Sequence, residues 1–130
     1  MKLSDNQKFG TAALYCRLSR DDNMDTEFNS IQNQKAMLLE YSIQQGWEVY
    51  NIYSDDNYTG SDRNRPEFKR LLDDAEAHKF DIVLCKSQSR FTRDMELVEK
   101  YIHGLFPVWG IRFIAVADNA DTEIKGNKKA

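Results

Sequence analysis

The stretch LYCRLSRDD, Leu14 to Asp22, passes from apolar to charged within a few residues. It sets Arg17, Ser19 and Arg20 where the apolar run stops. A serine flanked by guanidinium groups is equipped to handle an anion, and phosphate above all. Guanidinium pairs with phosphate oxygens bidentately. Two more clusters are of the same kind. Asp55 and Asp56 precede NYTGSDRNRPEF, which holds Arg63 and Arg65. KSQSRFTRD holds Lys86, Arg90 and Arg93. Each cluster alone has a plainer reading. Arg17 is a salt-bridged strand end, and Ser19 a turn residue. Asp55 and Asp56 are turn formers before Gly60. RFTRD is a helix start capped by Thr92, with Arg93 and Asp94 exposed.

The elements that carry these residues decide between the two readings. TAALYC, Thr11 to Cys16, has strand length. Asn29 or Ser30 opens a helix that runs to about Gln45, where Gly46 stops it. EVYNIYS, Glu48 to Ser54, alternates and is rich in β-formers. Pro66 fits the first turn of a second helix, whose Phe68, Leu71, Leu72 and Ala75 form one apolar stripe. DIVLCK, Asp81 to Lys86, is a buried-type strand. Met95, Val98, Ile102 and Leu105 mark a third helix, stopped near Pro107 and Gly110. IRFIAV, Ile111 to Val116, is a fourth strand. This alternation predicts an α/β fold: three layers, α/β/α, around a mostly parallel central sheet of four to five strands. Ligands of open α/β sheets bind outside the carboxyl ends of the strands. All three clusters sit at such ends, and their convergence on one edge favours the chemical reading.

The 130 residues fit one domain, and 41% apolar with 30% charged residues is an ordinary soluble composition. No apolar run approaches the roughly 20 residues a membrane helix needs. MKLSDNQKFG is too polar for a signal peptide, so the expected location is cytoplasmic, with no membrane partner. A net charge of −3 argues against a general polyanion binder and leaves room for a local basic site. Cys16 and Cys85 lie in apolar runs without metal spacing and read as buried thiols. His78 and His103 fall on or beside helices away from the strand exits, which disfavours a Ser–His triad. Tyr50, Tyr53, Phe80 and Phe113 read as core or half-buried strand residues, and Trp47 and Trp109 as packing residues. Glu96, Glu99 and Lys100 read as a solvated face. The expected organisation is a flexible segment 1–10, a catalytic domain 11–125 and a frayed tail 126–130 leading into further regions. The whole of DTEIKGNKKA is expected to fray.

The motifs resemble a known family. YCRLS resembles the Y-x-R-x-S motif that opens the catalytic domain of serine recombinases, the resolvase/invertase family. SRFTRD resembles that family's D-R-x-x-R motif. NRPEF resembles the lead into its second helix, and NSIQNQ the S-x-x-x-Q that opens its first. The resemblance runs from about Thr11 to Lys125, and the loops look most like those of large serine recombinases of mobile elements. It implies that Ser19 is the nucleophile on a DNA phosphodiester, forming a 5′-phosphoserine and releasing a 3′-hydroxyl. It implies that Arg17, Arg65, Arg90 and Arg93 are the active-site arginines, supported by Gln34 and Asp56. Arg20, Arg63 and Lys86 become candidate DNA contacts. The implied partners are double-stranded DNA and further copies of the chain, a dimer on each site and a tetramer at synapsis. The family needs no metal, ATP or other cofactor.

One departure stands in the second motif: Ser89 occupies the place of the usual Asp, so that position's role is open. The acidic loop from Arg20 to Asn29 is expected to be mobile, leaving Ser19 poorly placed without DNA. The segment alone, lacking the family's long helix and DNA-binding region, is expected to bind DNA weakly and not to recombine. Two other readings compete. One is an inactive or regulatory domain of the same fold. The other is a receiver-like signalling domain, which needs Mg²⁺ and an acceptor Asp at the third strand's end, where this chain has KSQSR.

Overall fold

The computed structural model describes residues 10–19, 30–57 and 65–123, with Ser19, Asp56 and Asn57 described as backbone only. Arg20, Arg63, most of the N-terminal segment, the Arg20–Asn29 loop and the 126–130 tail lie outside the described residues.

The apolar run of Thr11 becomes strand β1, Thr11–Ser19, and it lies inside the sheet. Its residues are apolar at both parities because both of its faces are covered. Ala12, Leu14 and Cys16 meet Leu38 of helix α1, Ile31–Gln45. Ala13 and Tyr15 face the opposite layer, with Phe68 and Leu71 of helix α2, Pro66–Glu76. Strand β2, Glu48–Asn57, flanks β1 on one side and strand β3, Ile82–Cys85, on the other. Strand β4, Arg112–Ala115, pairs with β3. Among the described residues the sheet order is β2-β1-β3-β4-β5, parallel except for the short antiparallel strand β5, Ala120–Asp121. The expected three-layer architecture is therefore observed.

Local chemistry explains the helix ends. The Ser30 side chain accepts from the Asn33 amide, and Gly46 takes φ 79° to close α1. After β3 a single turn, α3, Gln88–Phe91, precedes a helical rod. The rod starts as α4, Met95–Leu97, widens to a π-helix over Val98–Leu105 and ends as α5, Phe106–Trp109. Asp94 caps it through the Glu96 amide. Thr92, expected as that cap, instead ends α3. Pro107 does not stop the rod. It sits in the first turn of α5, a position that tolerates a missing N–H, and Gly110 at φ 75° ends the helix.

Three other expectations are corrected. β2 extends to Asn57 because β1 continues beside it as far as Ser19. Tyr50, on the edge strand, is 44% exposed and not part of the core. The stretch from Asp121 does not fray at its start. Arg112 binds Asp121 with two hydrogen bonds of 3.0 and 2.8 Å, and Thr122 donates its amide to the Phe113 carbonyl. Cys16 and Cys85 are free and buried. Burial pushes the Cys16 thiol up to about 12, so it is no thiolate at neutral pH.

The Arg112–Asp121 pair carries a pH prediction. Burial alone would raise the Asp121 carboxyl, but the Arg112 hydrogen bond, the Glu123 amide and the Arg112 charge outweigh it and hold it below its ordinary value. A depressed carboxyl stabilises the fold above its unfolded value of about 3.9 and loses that contribution as pH falls through the native value. The β4–β5 hairpin is expected to hold at pH 5 and above and to loosen only below about pH 4. Amide shifts of residues 112–122 followed by NMR check this; loosening at pH 6 would contradict it.

Candidate active site

The sheet order changes direction between β1 and β3, so the crevice outside their carboxyl ends is the natural ligand position. Arg17 and Ser19 end β1, and their register partners on β2 are Asp55 and Asn57. β3 leads directly into Lys86 and the α3 turn.

Arg17 is only 2% exposed. Its Nε donates to the Arg90 carbonyl at 3.1 Å, and its Nη2 donates to the Ser89 carbonyl. Arg90 answers, its Nη1 donating to the Arg17 carbonyl at 3.2 Å. Buried Gln34 of α1 holds the same residue from the other layer. It accepts from the Arg17 amide at 3.1 Å and donates to the Arg17 carbonyl at 3.0 Å. The end of β1 and the α3 turn are thus clamped to each other by reciprocal arginine–carbonyl bonds.

Arg65 precedes α2 and is also 2% exposed. Its Nη1 donates to the Phe91 carbonyl, its Nη2 donates to Thr92 Oγ1 at 3.2 Å, and its guanidinium lies 3.8 Å over the Phe68 ring. The turn itself is anchored by Phe91, whose ring is buried edge-on against Phe68, Phe106 and Phe113. The last carbonyls of a helical turn carry partial negative charge. Two guanidiniums aimed at them are held in fixed positions, and fixed donors at a developing anion cost no reorganisation.

Of the residues expected here, Arg17, Gln34, Arg65 and Arg90 come together. Lys86 is buried and Arg93 is exposed. Ser19 and Asp56 are placed by their backbones at the adjoining ends of β1 and β2. Ser89 supplies its carbonyl to Arg17, and its hydroxyl lies 3.1 Å from that of Ser87.

Residues 12–128 match the family described as Resolvase, N terminal domain. The chain belongs to that family. This resolvase domain is similar in structure to the N-terminal catalytic domain of TP901-1 integrase, with 29% identity and a TM-score of 0.76 over 90% of this chain and 85% of that one. It is also similar to the C-terminal catalytic domain of ISC1926 TnpA, an IS607-like serine recombinase. That match has 25% identity and a TM-score of 0.65 over 82% of this chain and 69% of the other. The Uncharacterized immunity region protein 3 of Bacillus phage phi105 is 32% identical over 72 residues, 55% of this chain and 87% of that protein. The serine recombinase catalytic domain is thus the setting in which the arginine cluster is to be understood.

Within the resolvase domain the role of one buried carboxylate, Asp55, goes beyond what the sequence assigned it. The sequence sets Asp55 and Asp56 together at the second strand exit, and the family resemblance singles out Asp56. Asp55 Oδ2 accepts from the Tyr15 hydroxyl at 2.7 Å and the Phe68 amide at 3.0 Å; Oδ1 accepts from the Glu67 amide at 3.1 Å. It caps the start of α2 and so sets the residue just before it, Arg65. Burial, with Asp55 adding and Arg65 opposing, raises the Tyr15 phenol, which stays a donor. Strand alternation is the signal that finds Asp55: it shares a face with core residue Tyr53. Asp55→Ala leaves two buried donors and a half-buried one without their acceptor and is expected to cost about 2–4 kcal/mol in urea unfolding. A change under 1 kcal/mol would contradict the role.

Proposed function

We propose that this resolvase domain is the catalytic unit of a site-specific DNA recombinase in which Ser19 is the nucleophile. Ser19 Oγ forms a bond to a DNA phosphorus as the bond from phosphorus to the 3′-oxygen breaks. Ser19 gives up its hydroxyl proton as the bond forms, the 3′-oxygen gains one and leaves as a hydroxyl, and the DNA remains attached through a 5′-phosphoserine. Reversal on a new 3′-hydroxyl rejoins the strand. The phosphoserine conserves the bond energy, so the exchange runs without ATP, metal or other cofactor.

The observation that carries this reading is the gathering of Arg17, Gln34, Arg65 and Arg90 at the switch point, beside the end of β1. In the proposal Arg17, Arg65, Arg90 and Arg93 stabilise charge on the phosphate oxygens. Gln34 fixes the Arg17 peptide, and Asp56 supports the site from β2. Arg20, Arg63 and Lys86 contact DNA. The protein works on double-stranded DNA as a dimer on each site and a tetramer at synapsis. Integration, excision or inversion of a mobile element is the class of outcome, in keeping with its similarity to an integrase and to an IS607-like serine recombinase. The unit spans residues 11–125, and its place is the cytoplasm; among the described residues no helix is long and apolar enough to cross a membrane.

A second reading has its own observation. Arg17, Arg65 and Arg90 spend hydrogen bonds on backbone carbonyls. A non-catalytic regulatory domain would tolerate that, and the phage relative is named for an immunity region. The full-length protein, mixed with nicked duplexes drawn from the DNA flanking its gene, separates the two. A band surviving denaturation as a protein–DNA adduct supports the recombinase; binding without any adduct supports the regulator.

A further inference from the structure

The α3 turn holds the arginines, yet four residues are too few to hold themselves, because the first helical turn is costly to nucleate. Its N-cap residue, Ser87, gives no side-chain cap bond. The bond comes from elsewhere in the chain. Asp118 Oδ2 accepts from the Gln88 amide at 2.8 Å. Asp118 lies on a 3-10 turn, Val116–Asp118, that follows β4. Its neighbour Ala117 donates its amide to the Lys86 carbonyl at 2.7 Å, just before α3. Asn119 closes the 3-10 turn with φ 56°, and the chain then returns as β5. At the opposite end of α3, the Ser89, Arg90 and Phe91 carbonyls receive Arg17 and Arg65.

We infer that Asp118 is a positioning residue of the recombinase site: its carboxylate caps the Gln88–Phe91 turn and thereby sets the carbonyls that orient Arg17 and Arg65. The inference rests on the catalytic reading for its consequence and on geometry alone for the cap. Asp118 is exposed, so its removal takes away a bond and little packing. It also gives the β4–β5 hairpin a task, since the hairpin presents the carboxylate to a turn 30 residues earlier in the chain.

The test compares wild type, Asp118→Ala and Asp118→Asn in the full chain, reading amide exchange at residues 88–92 and the rate of adduct formation at saturating DNA. Asp118→Ala is expected to speed exchange of the Gln88 and Thr92 amides about tenfold. The adduct rate should fall about tenfold or more while DNA affinity changes less than about twofold. Asp118→Asn keeps a side-chain oxygen as acceptor, so both readouts should return to within about threefold of wild type. Wild-type exchange in Asp118→Ala overturns the cap, and a wild-type adduct rate overturns the positioning role. An Asp118→Asn protein as impaired as Asp118→Ala overturns it too. Failure of wild type to form an adduct sinks the catalytic reading instead, and the exchange rates then decide the cap alone.

Discussion

Ser19→Ala is expected to abolish covalent attachment to DNA, a loss of at least about 10⁴-fold in strand cleavage. No neighbouring group takes over a nucleophile's bond to phosphorus, so the loss falls on the chemical step. DNA binding should persist, because affinity for DNA comes from cations and not from one hydroxyl. The pattern expected is therefore an unchanged gel-shift with no adduct and no free 3′-hydroxyl ends. Cleavage by Ser19→Ala within tenfold of wild type would remove Ser19 from the mechanism.

The second large effect is expected at Arg65. Arg65→Ala removes a guanidinium from the proposed anion site, and one preorganised donor is worth on the order of 10²-fold or more in rate. It also leaves the Phe91 carbonyl and the Thr92 hydroxyl without this donor in a buried setting and bares the Phe68 ring. A stability loss of about 1–3 kcal/mol should accompany the rate loss. Arg65→Lys keeps the charge but not the planar fork that reaches Phe91 and Thr92 while stacking on Phe68, so it should not restore the rate. Urea unfolding beside single-turnover cleavage measures both losses. An Arg65→Lys protein with wild-type cleavage would show that charge alone is needed.

Much of this fold was legible because its signals are local. Caps at Ser30, Gly46 and Pro66 act within a turn of themselves, and the doubly buried strands show as continuous apolar runs. β5 was hidden because a two-residue strand of Ala120 and Asp121 has no pattern, and it exists through its pairing to β4 and the Arg112 side chain. Pro107 misled because helix-breaking depends on where in a turn the proline falls. The site's residue types and their meeting at one edge were readable from the strand exits. What those side chains bind was not. Arg17 and Arg65 donate to backbone carbonyls there, and carbonyls leave no trace in residue type. At Ser89, where the motif departs from the usual Asp, the peptide oxygen accepts from Arg17. The role of Asp55 and the place of Asp118 were hidden for a related reason. Each works on a backbone amide of another element, so no motif spacing announces it.

The central claim is that Ser19 becomes joined to a DNA 5′-phosphate. Digesting the trapped adduct to peptides and mapping the nucleotide by mass spectrometry tests it most directly. The account predicts a nucleotide on Ser19, attached through phosphate, with a free 3′-hydroxyl on the partner strand. A nucleotide on any other residue, or DNA cut without attachment to the protein, would contradict it.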